Sequence, residues 1–329
     1  MDYSGCAAKL FNRLPIVFRS TCKGINLVEK EMKILVTGGS GFIGKNLQEK
    51  LQSKHEILAP GHSELDLTDE ASVCDWFSNH RIDAVIHAAT KPGHRAADDI
   101  SQIALSNIHM FSNLFESSRR HNIGKFLFLG SGSEFDMRNY RPHMSEDDLG
   151  NYIPADESGY SKYVCTRMLQ GVPGYVNIRF FGIFGKYEDY AIRFISNAIC
   201  KSIFDLPITL RQDRQFDYTY IDDGIHAIER FLAIPKDQLK YNDYNVTPHT
   251  TVRLLEVAEL VRKISGKKEL PICVGIPGEG MEYSGNNSRF MELFPDFAFT
   301  PIEKSVQQLY NWYAENVDRI DKKKLLVDK

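Results

Sequence analysis

The chain has 329 residues, 43% of them hydrophobic and 25% charged, with a net charge of −3. That length suits one large domain or two smaller ones, and the charge balance gives no basic face for nucleic acid. No apolar run is long enough to cross a bilayer. The six cysteines, scattered without a C-x-x-C pair, read as reduced packing thiols of a cytoplasmic protein, with no metal site and no disulfide framework.

Residues 1–31 are basic and acid-poor, with Lys9, Arg13, Arg19 and Lys23. Such an extension reads either as an organellar transit peptide or as an upstream start to a fold that begins near Met32. Pro15 interrupts the only amphipathic stretch, which favours the second reading. From Met32, short apolar runs alternate with helical periods. A strand over 33–37 is followed by a helix over 42–53 that places Phe42, Ile43, Leu47 and Leu51 on one side. A short strand at 56–59 and a helix over 70–79 come next, with Asp69 available near the helix start. Then follow a buried strand at 83–89, a helix over 98–121, a strand at 125–130, a helix over 158–170 and a strand at 175–180. Strands alternating with helices predict an α/β fold, a Rossmann-type, doubly wound parallel sheet.

After Phe180 the rhythm loosens. Helical segments at 190–201, 222–234, 251–265 and 302–317 are separated by loops rich in Pro, Gly and Asn. This predicts a smaller, discontinuous C-terminal lobe over the C-terminal edge of the sheet, where open α/β sheets bind ligands. The expected division is a dinucleotide-binding domain over 32–180 and 216–248, a substrate-binding lobe over 181–215 and 249–317, and a tail over 318–329. The lysines at 322–324 are expected in a frayed end.

The stretch Lys33 to Gly44 carries the strongest chemical signal. Apolar strand residues run into Gly38-x-x-Gly41-x-x-Gly44 and then into a helix. That arrangement aims backbone N–H groups and a helix dipole at a pyrophosphate. Gly38 allows the tight turn, Gly41 lets the backbone approach the phosphates, and Gly44 lets the helix pack on the strand.

With the downstream motifs, the chain from about Met32 to Val317 resembles the extended short-chain dehydrogenase/reductase family, the NAD(P)-dependent nucleotide-sugar epimerases, dehydratases and reductases. Thr37-Gly38-Gly39-Ser40-Gly41-Phe42-Ile43-Gly44 is similar to that family's T-G-x-x-G-F-I-G loop. The resemblance implies cofactor contacts by Gly38, Ser40, Gly41, Phe42, Ile43 and Gly44. It implies an adenine contact by Asp66, with Leu67, at the end of a third strand; a helix cap by Thr68 or Asp69 is compatible with it. His87-Ala88-Ala89 resembles the H-x-A turn, whose small residues, Ala88 and Ala89, let the backbone pass close to the cofactor. Asn107 resembles the Asn of the N-x-x-x-T-x-N-L-L-E helix and is expected to tie that helix to the active-site strand.

The cofactor is NADP or NAD. A carboxylate ending the second strand would bind the ribose hydroxyls and favour NAD, but Ala59-Pro60-Gly61-His62-Ser63 offers none before Glu64. Gly61 to Leu67 resembles sugar reductases of the GDP-fucose synthase and dTDP-rhamnose-forming type, which commonly take NADPH, so the lean is to NADP.

Leu129 to Phe135 resembles the family's catalytic strand. Ser131 falls on the catalytic Ser/Thr, and Ser133 and Glu134 fall where substrate contacts lie. The family then requires Tyr-x-x-x-Lys on one helix, so that the lysine lowers the phenol's pKa and the phenol exchanges a proton with the sugar. Ser158-Gly159-Tyr160-Ser161-Lys162 fits with Lys162 in place, but Ser158 stands where the tyrosine belongs. Three readings stay open. Tyr160 substitutes, although it points to another helix face; or Ser158 cripples proton transfer and leaves binding intact; or Ser131, water or Glu134 carries the proton. Arg179 to Gly185 resembles the L-R-x-x-N-V-Y-G-P turn, with Gly182 and Lys186 replacing its Asn and Pro. Gln215 to Asp223 resembles R-D-F-V-Y-V-D-D. Arg214, and less so Arg211, are candidates for a substrate diphosphate, and Arg289 for a nucleotide contact.

The expectation is NAD(P)-dependent epimerisation, dehydration or reduction of a nucleotide-linked sugar. The alternative is a dinucleotide-binding sensor or oligomer partner impaired at Ser158. The resemblance also implies a homodimer built on the helices at 98–121 and 158–170.

Overall fold

The computed structural model describes residues 19–22, 25–28, 31–93 and 99–326. An antiparallel hairpin, β1 (Arg19–Cys22) and β2 (Ile25–Val28), precedes the main body; the rest of the 1–31 extension, apart from Glu31, lies outside the described residues. The strands β3 (Lys33–Thr37), β4 (Glu56–Leu58), β5 (Ala84–His87), β6 (Lys125–Ser131), β7 (Tyr175–Phe180) and β12 (Asp243–Asn245) form one parallel sheet in the order β12-β7-β6-β5-β3-β4. The chain leaves β3 toward β4 on one side and crosses back to β5 on the other. This is the topological switch point where open α/β sheets hold ligands.

The strands are apolar on both faces because helices cover both. Ile34, Val36, Ile86, Leu127 and Ile178 pack toward α1 (Phe42–Leu51) and α6 (Ile221–Ala233). Their alternates Leu35, Val85, Phe126 and Phe128 pack with α2 (Glu70–Asn79), α3 (Ile103–Arg120) and α4 (Glu157–Leu169). Asp69 caps α2 by accepting the Ala71 N–H at 3.0 Å. The helix expected from 98 starts at Ile103, because Asp99 turns the chain onto Ser101 and Gln102 takes a left-handed φ of 49°. No strand forms at Leu65–Leu67: Leu65 N–H bonds back to Gly61 and Asp66 accepts from Thr68, so local turns replace the expected third strand.

The second half adds β8 (Gly182–Phe184), parallel to β11 (Tyr218–Tyr220), and β10 (Gln215–Phe216), antiparallel to β13 (Val252–Arg253). It also holds α5 (Phe194–Ile203), α7 (Leu254–Ser265), α8 (Ser288–Leu293) and α9 (Ile302–Glu315). β9 (Ile208–Asp213) and β14 (Ile272–Glu279) form a parallel ladder that periodicity did not reveal, since β14 is exposed along most of its length and lacks apolar alternation. The lysines at 322–324 are not frayed. They form a 3-10 turn held by Leu325, which is buried in the main core.

One buried ion pair joins the sheet to the turn after β6. Arg179 on β7 and Glu134 are each 0% exposed and paired at 2.7 Å. The Glu134 carboxylate also accepts from the Ser131 N–H at 2.9 Å, the Thr166 hydroxyl at 2.9 Å and the Asn177 amide at 2.9 Å. A charge removed from water to this degree survives only with such a complete set of partners. Replacing Glu134 with Gln is therefore expected to cost about 3 kcal/mol by breaking the buried ion pair, with Asp243 and Asn245 still bonded to the guanidinium; urea unfolding of the two proteins measures it.

Candidate active site

The turn between β3 and α1 is shaped by backbone crowding. Gly38 has φ +69°, and a Cβ on it would sit 2.8 Å from the Ala89 backbone of the neighbouring loop. A Cβ on Gly44 would collide with the Gly38 carbonyl oxygen, so α1 packs against its own entry turn only with glycine there. Gly41 N–H closes the turn onto the Gly38 carbonyl at 2.9 Å and begins α1, whose N-terminus has no side-chain cap. The first-turn N–H groups of Phe42, Ile43 and Gly44 thus face a ligand position, as anion-binding helix starts do. Ser40 is exposed beside them, while the Phe42 and Ile43 side chains pack against the main core.

This turn opens into a cleft of about 380 Å³ that includes Thr37, Asp66, Leu67, Ala89, Lys91 and Met110 in its lining. Asp66 is half-buried there, held below the usual carboxylate range by the Thr68 hydroxyl and backbone N–H. The Asn107 side chain accepts the Lys91 N–H at 2.7 Å and donates to the Lys91 carbonyl at 3.2 Å. It holds the loop after β5, not the active-site strand. At the end of β4, His62 reaches into solvent at the cleft edge, and Glu64 folds back to accept the Gly61 N–H at 2.8 Å. His87, buried beneath the turn, bonds Thr37 Oγ1 at 2.8 Å, and Ala89 N–H donates to the same hydroxyl at 3.2 Å. Ala88 and Ala89 are small enough for the Gly38 backbone to lie against them.

Ser131 and Lys162 occupy neighbouring elements beyond the cleft. Ser131 ends β6 in a capping box, its Oγ accepting the Ser133 N–H and its own N–H donating to Glu134. Lys162 donates to the Leu129 carbonyl at 2.9 Å and lies 5.1 Å from the Phe128 ring centroid. Burial lowers its pKa, with the Glu134 charge opposing that shift. Asp156 caps α4 through the Gly159 N–H at 2.8 Å, and any side chain at Gly159 would collide with the Ser133 carbonyl. The Ser131–Ser133 turn and the start of α4 are thereby fixed to one another. Ser158 sits beside Gly93 and Ile103: a Cβ built on Gly93 would meet the Ser158 Cβ at 3.5 Å. Tyr160 is 41% exposed on the outer side of α4.

One expected substrate contact is corrected, and another has partners within the fold. Glu134 is fully buried and its carboxylate is committed to Arg179 and the Ser131 turn, so it neither meets a substrate nor carries a proton to one. Arg289 lines a separate cavity of about 200 Å³ with Tyr241 and Tyr244. Its guanidinium is spent on Asp147 and on Asp243 at 3.1 Å, and it lies over the Tyr241 ring at 4.2 Å. Ser133 stays half-exposed at the turn. Arg214 donates to the Met281 carbonyl at 2.9 Å and lies 5.5 Å from the Phe216 ring centroid, on the segment that leads to Tyr283.

Tyr283 and Arg193 were not singled out by motif. The Tyr283 phenol oxygen lies against Gly132, 2.5 Å from where a Cβ there would sit, and the Arg193 charge acts on both Tyr283 and Tyr218. No periodicity or spacing marks Tyr283, because a loop 152 residues downstream of Ser131 delivers it.

The model of the NAD dependent epimerase/dehydratase family matches residues 34–247. The chain belongs to this family. It is 20% identical to the GDP-L-fucose synthase of Escherichia coli over 88% of this chain and 98% of that protein. The fold matches a GDP-L-fucose synthetase from Naegleria fowleri with a TM-score of 0.76 and 17% identity, covering 94% of this chain and 100% of that one. It also matches the GDP-mannoheptose C4 reductase MlghC from Campylobacter jejuni, with NADP bound, with a TM-score of 0.74 and 18% identity over 86% and 98% of the two chains.

Two consequences can be measured. Gly44→Ala is expected to abolish dinucleotide binding in calorimetry, since its Cβ has nowhere to go without moving the turn. Burial first, and then the Lys162 charge, hold the His87 pKa down to about 3 from an ordinary 6.5. Between those values the unfolded chain takes up a proton that the folded chain refuses, so stability is lost as pH falls through that window. His87→Gln is expected to flatten that part of the stability–pH curve in urea titrations.

Proposed function

We propose that this protein is an NADP(H)-dependent enzyme that reduces a keto group on a nucleotide-linked sugar. The observation that carries the reading is the joining of a glycine-shaped helix N-terminus, which suits a pyrophosphate, to a Ser131–Lys162 pair held at the ends of adjacent elements. The cleft fits a dinucleotide because its crowded glycine backbone leaves helix N–H groups, rather than side chains, facing the phosphate position. Such a cofactor, when bound, supplies the hydride. Lys162 holds a positive charge against the sheet edge, which suits a nicotinamide ribose, and Ser131 offers a hydroxyl to the sugar oxygen. Asp66 suits the adenine. Arg214, joined by Arg193, suits the substrate diphosphate.

The preference for NADP rests on Glu64. The first carboxylate after β4, Glu64, accepts the Gly61 N–H at 2.8 Å, a bond that competes with ribose hydroxyls, and the exposed His62 stands at the rim 3.9 Å from the Asp66 carboxylate. The names of the relatives, a GDP-sugar synthase and a GDP-sugar C4 reductase, favour reduction over epimerisation. We also propose a homodimer through α3 and α4, where Leu105 and Tyr160 are exposed.

A second reading, a dinucleotide-binding protein without turnover, is favoured by Ser158, which brings no phenol to the Lys162 face. Calorimetry with NADPH and NADH, followed by turnover assays on GDP-, UDP- and dTDP-linked 4-keto sugars, separates the two. NADPH is expected to bind at least about tenfold more tightly than NADH, a difference of about 1.4 kcal/mol, and Lys162→Met to weaken both. Tight binding without turnover selects the second reading, and binding of neither dinucleotide overturns both.

A further inference from the structure

The family's proton donor is absent at position 158, yet a phenol does reach the reaction side of Ser131 from another element. A methyl group placed on Gly132 would lie 2.5 Å from the Tyr283 phenol oxygen, which sets that oxygen beside the Ser131 turn. Its position is held from several sides. The Tyr283 N–H donates to the Gln215 carbonyl at 2.9 Å, and Gly285 N–H donates to the buried Asp217 carboxylate at 2.6 Å. The ring stacks on Tyr140 at 5.1 Å and tilts against Phe181 at 5.5 Å. Tyr140 in turn donates its hydroxyl to the Ser284 carbonyl at 3.0 Å. Gly132 and Gly285 both lie against the Phe181 ring, so the loop that carries Tyr283 is seated directly on the Ser131 turn.

We propose, building on the reductase reading, that Tyr283 supplies the phenol missing at position 158 and passes its proton to the sugar oxygen through the Ser131 hydroxyl. Reduction of the carbonyl forms a C–H bond with the hydride of a reduced nicotinamide dinucleotide, and the carbonyl π pair moves onto oxygen. That oxygen takes the Ser131 proton, Ser131 takes the Tyr283 proton, and the phenolate is reprotonated by water. The phenol keeps its proton at neutral pH, the form that reduction needs, and burial, which raises its pKa, makes it a weaker acid than a free phenol. Tyr283 acts through Ser131 and is a positioning and relay residue. Ser158 lies on the Lys162 face of α4 against Gly93, and its short hydroxyl is left as a space-filling group.

The test compares the full chain with Tyr283→Phe, which keeps the ring packing and removes only the hydroxyl. With NADPH and the best nucleotide sugar, Tyr283→Phe is expected to lower kcat about 100-fold or more, as loss of a general acid does. KM, NADPH affinity by calorimetry and the melting temperature should stay as in the parent. Because the two hydroxyls act in series, Ser131→Ala with Tyr283→Phe should be little worse than Ser131→Ala alone. Ser158→Tyr introduced into Tyr283→Phe should restore about tenfold or more of the lost kcat by returning a phenol to the Lys162 face. The relay is overturned if Tyr283→Phe keeps the parent kcat within about threefold, a change under 1 kcal/mol, if the Ser131 and Tyr283 losses multiply, or if NADPH affinity falls in step with kcat. A parent chain that binds NADPH but reduces no nucleotide sugar defeats the reductase reading itself, and the relay falls with it.

Discussion

The geometry of the candidate site depends on one buried charge. The Glu134 carboxylate binds Arg179 on β7 and accepts hydrogen bonds from Ser131 on β6, Thr166 on α4 and Asn177 on β7. Four interactions from three elements converge on a group with no access to water. Desolvation makes such a pair a poor source of net stability, but it makes any rearrangement expensive, because a displaced carboxylate or guanidinium would be left unpaired. The consequence is positional. Ser131 and the helix that carries Lys162 cannot drift apart without breaking this set.

A second constraint acts at the other end of the cleft. The β3 turn is crowded by the Ala88–Ala89 backbone at Gly38 and by α1 at Gly44, so side chains are excluded at both, and the helix start is left uncapped at the switch point of the sheet. The two constraints share the sheet as a common base. Phosphate-suited N–H groups stand at the end of β3, the serine hydroxyl at the end of β6, and the lysine reaches β6 from α4. The polar groups are few, and most of them already have partners. A ligand here would meet a prepared surface rather than organise one.

Tyr283 adds a group from the second half of the chain to this prepared surface. It arrives on a loop stitched to Gln215, Asp217 and Met144, and its phenol oxygen lies against Gly132, next to Ser131. Its place depends on glycines at 132 and 285, which let an aromatic ring, Phe181, fit between loop and turn. The same logic explains Glu134. A residue next to the catalytic strand in sequence invites a substrate role, but the sheet edge folds over it and makes it a brace.

Local rules made the Rossmann half readable. Alternating apolar runs and helical periods located β3, β5, β6, β7, α1, α2 and α4 to within a few residues, because each is two-sided or amphipathic and its signal is carried by nearby residues. The glycine spacing marked the turn for the same reason: the left-handed φ of Gly38 and the exclusion at Gly44 by the Gly38 carbonyl are properties of one short segment. The β9–β14 ladder escaped, since its strands are short or exposed and pair across about 60 residues with no periodic signal. The fate of individual polar side chains also escaped. Whether Glu134, Asn107 and Arg289 face a ligand or brace the fold, and which tyrosine stands beside Ser131, follow from which distant elements pack together. The sequence by itself determined the α/β architecture and the dinucleotide turn, because backbone sterics and hydrophobic period are local. Only the tertiary structure decided which charges are buried and which phenol reaches the reacting edge, because desolvation and hydrogen-bond satisfaction are set by neighbours more than 40 residues away in the chain.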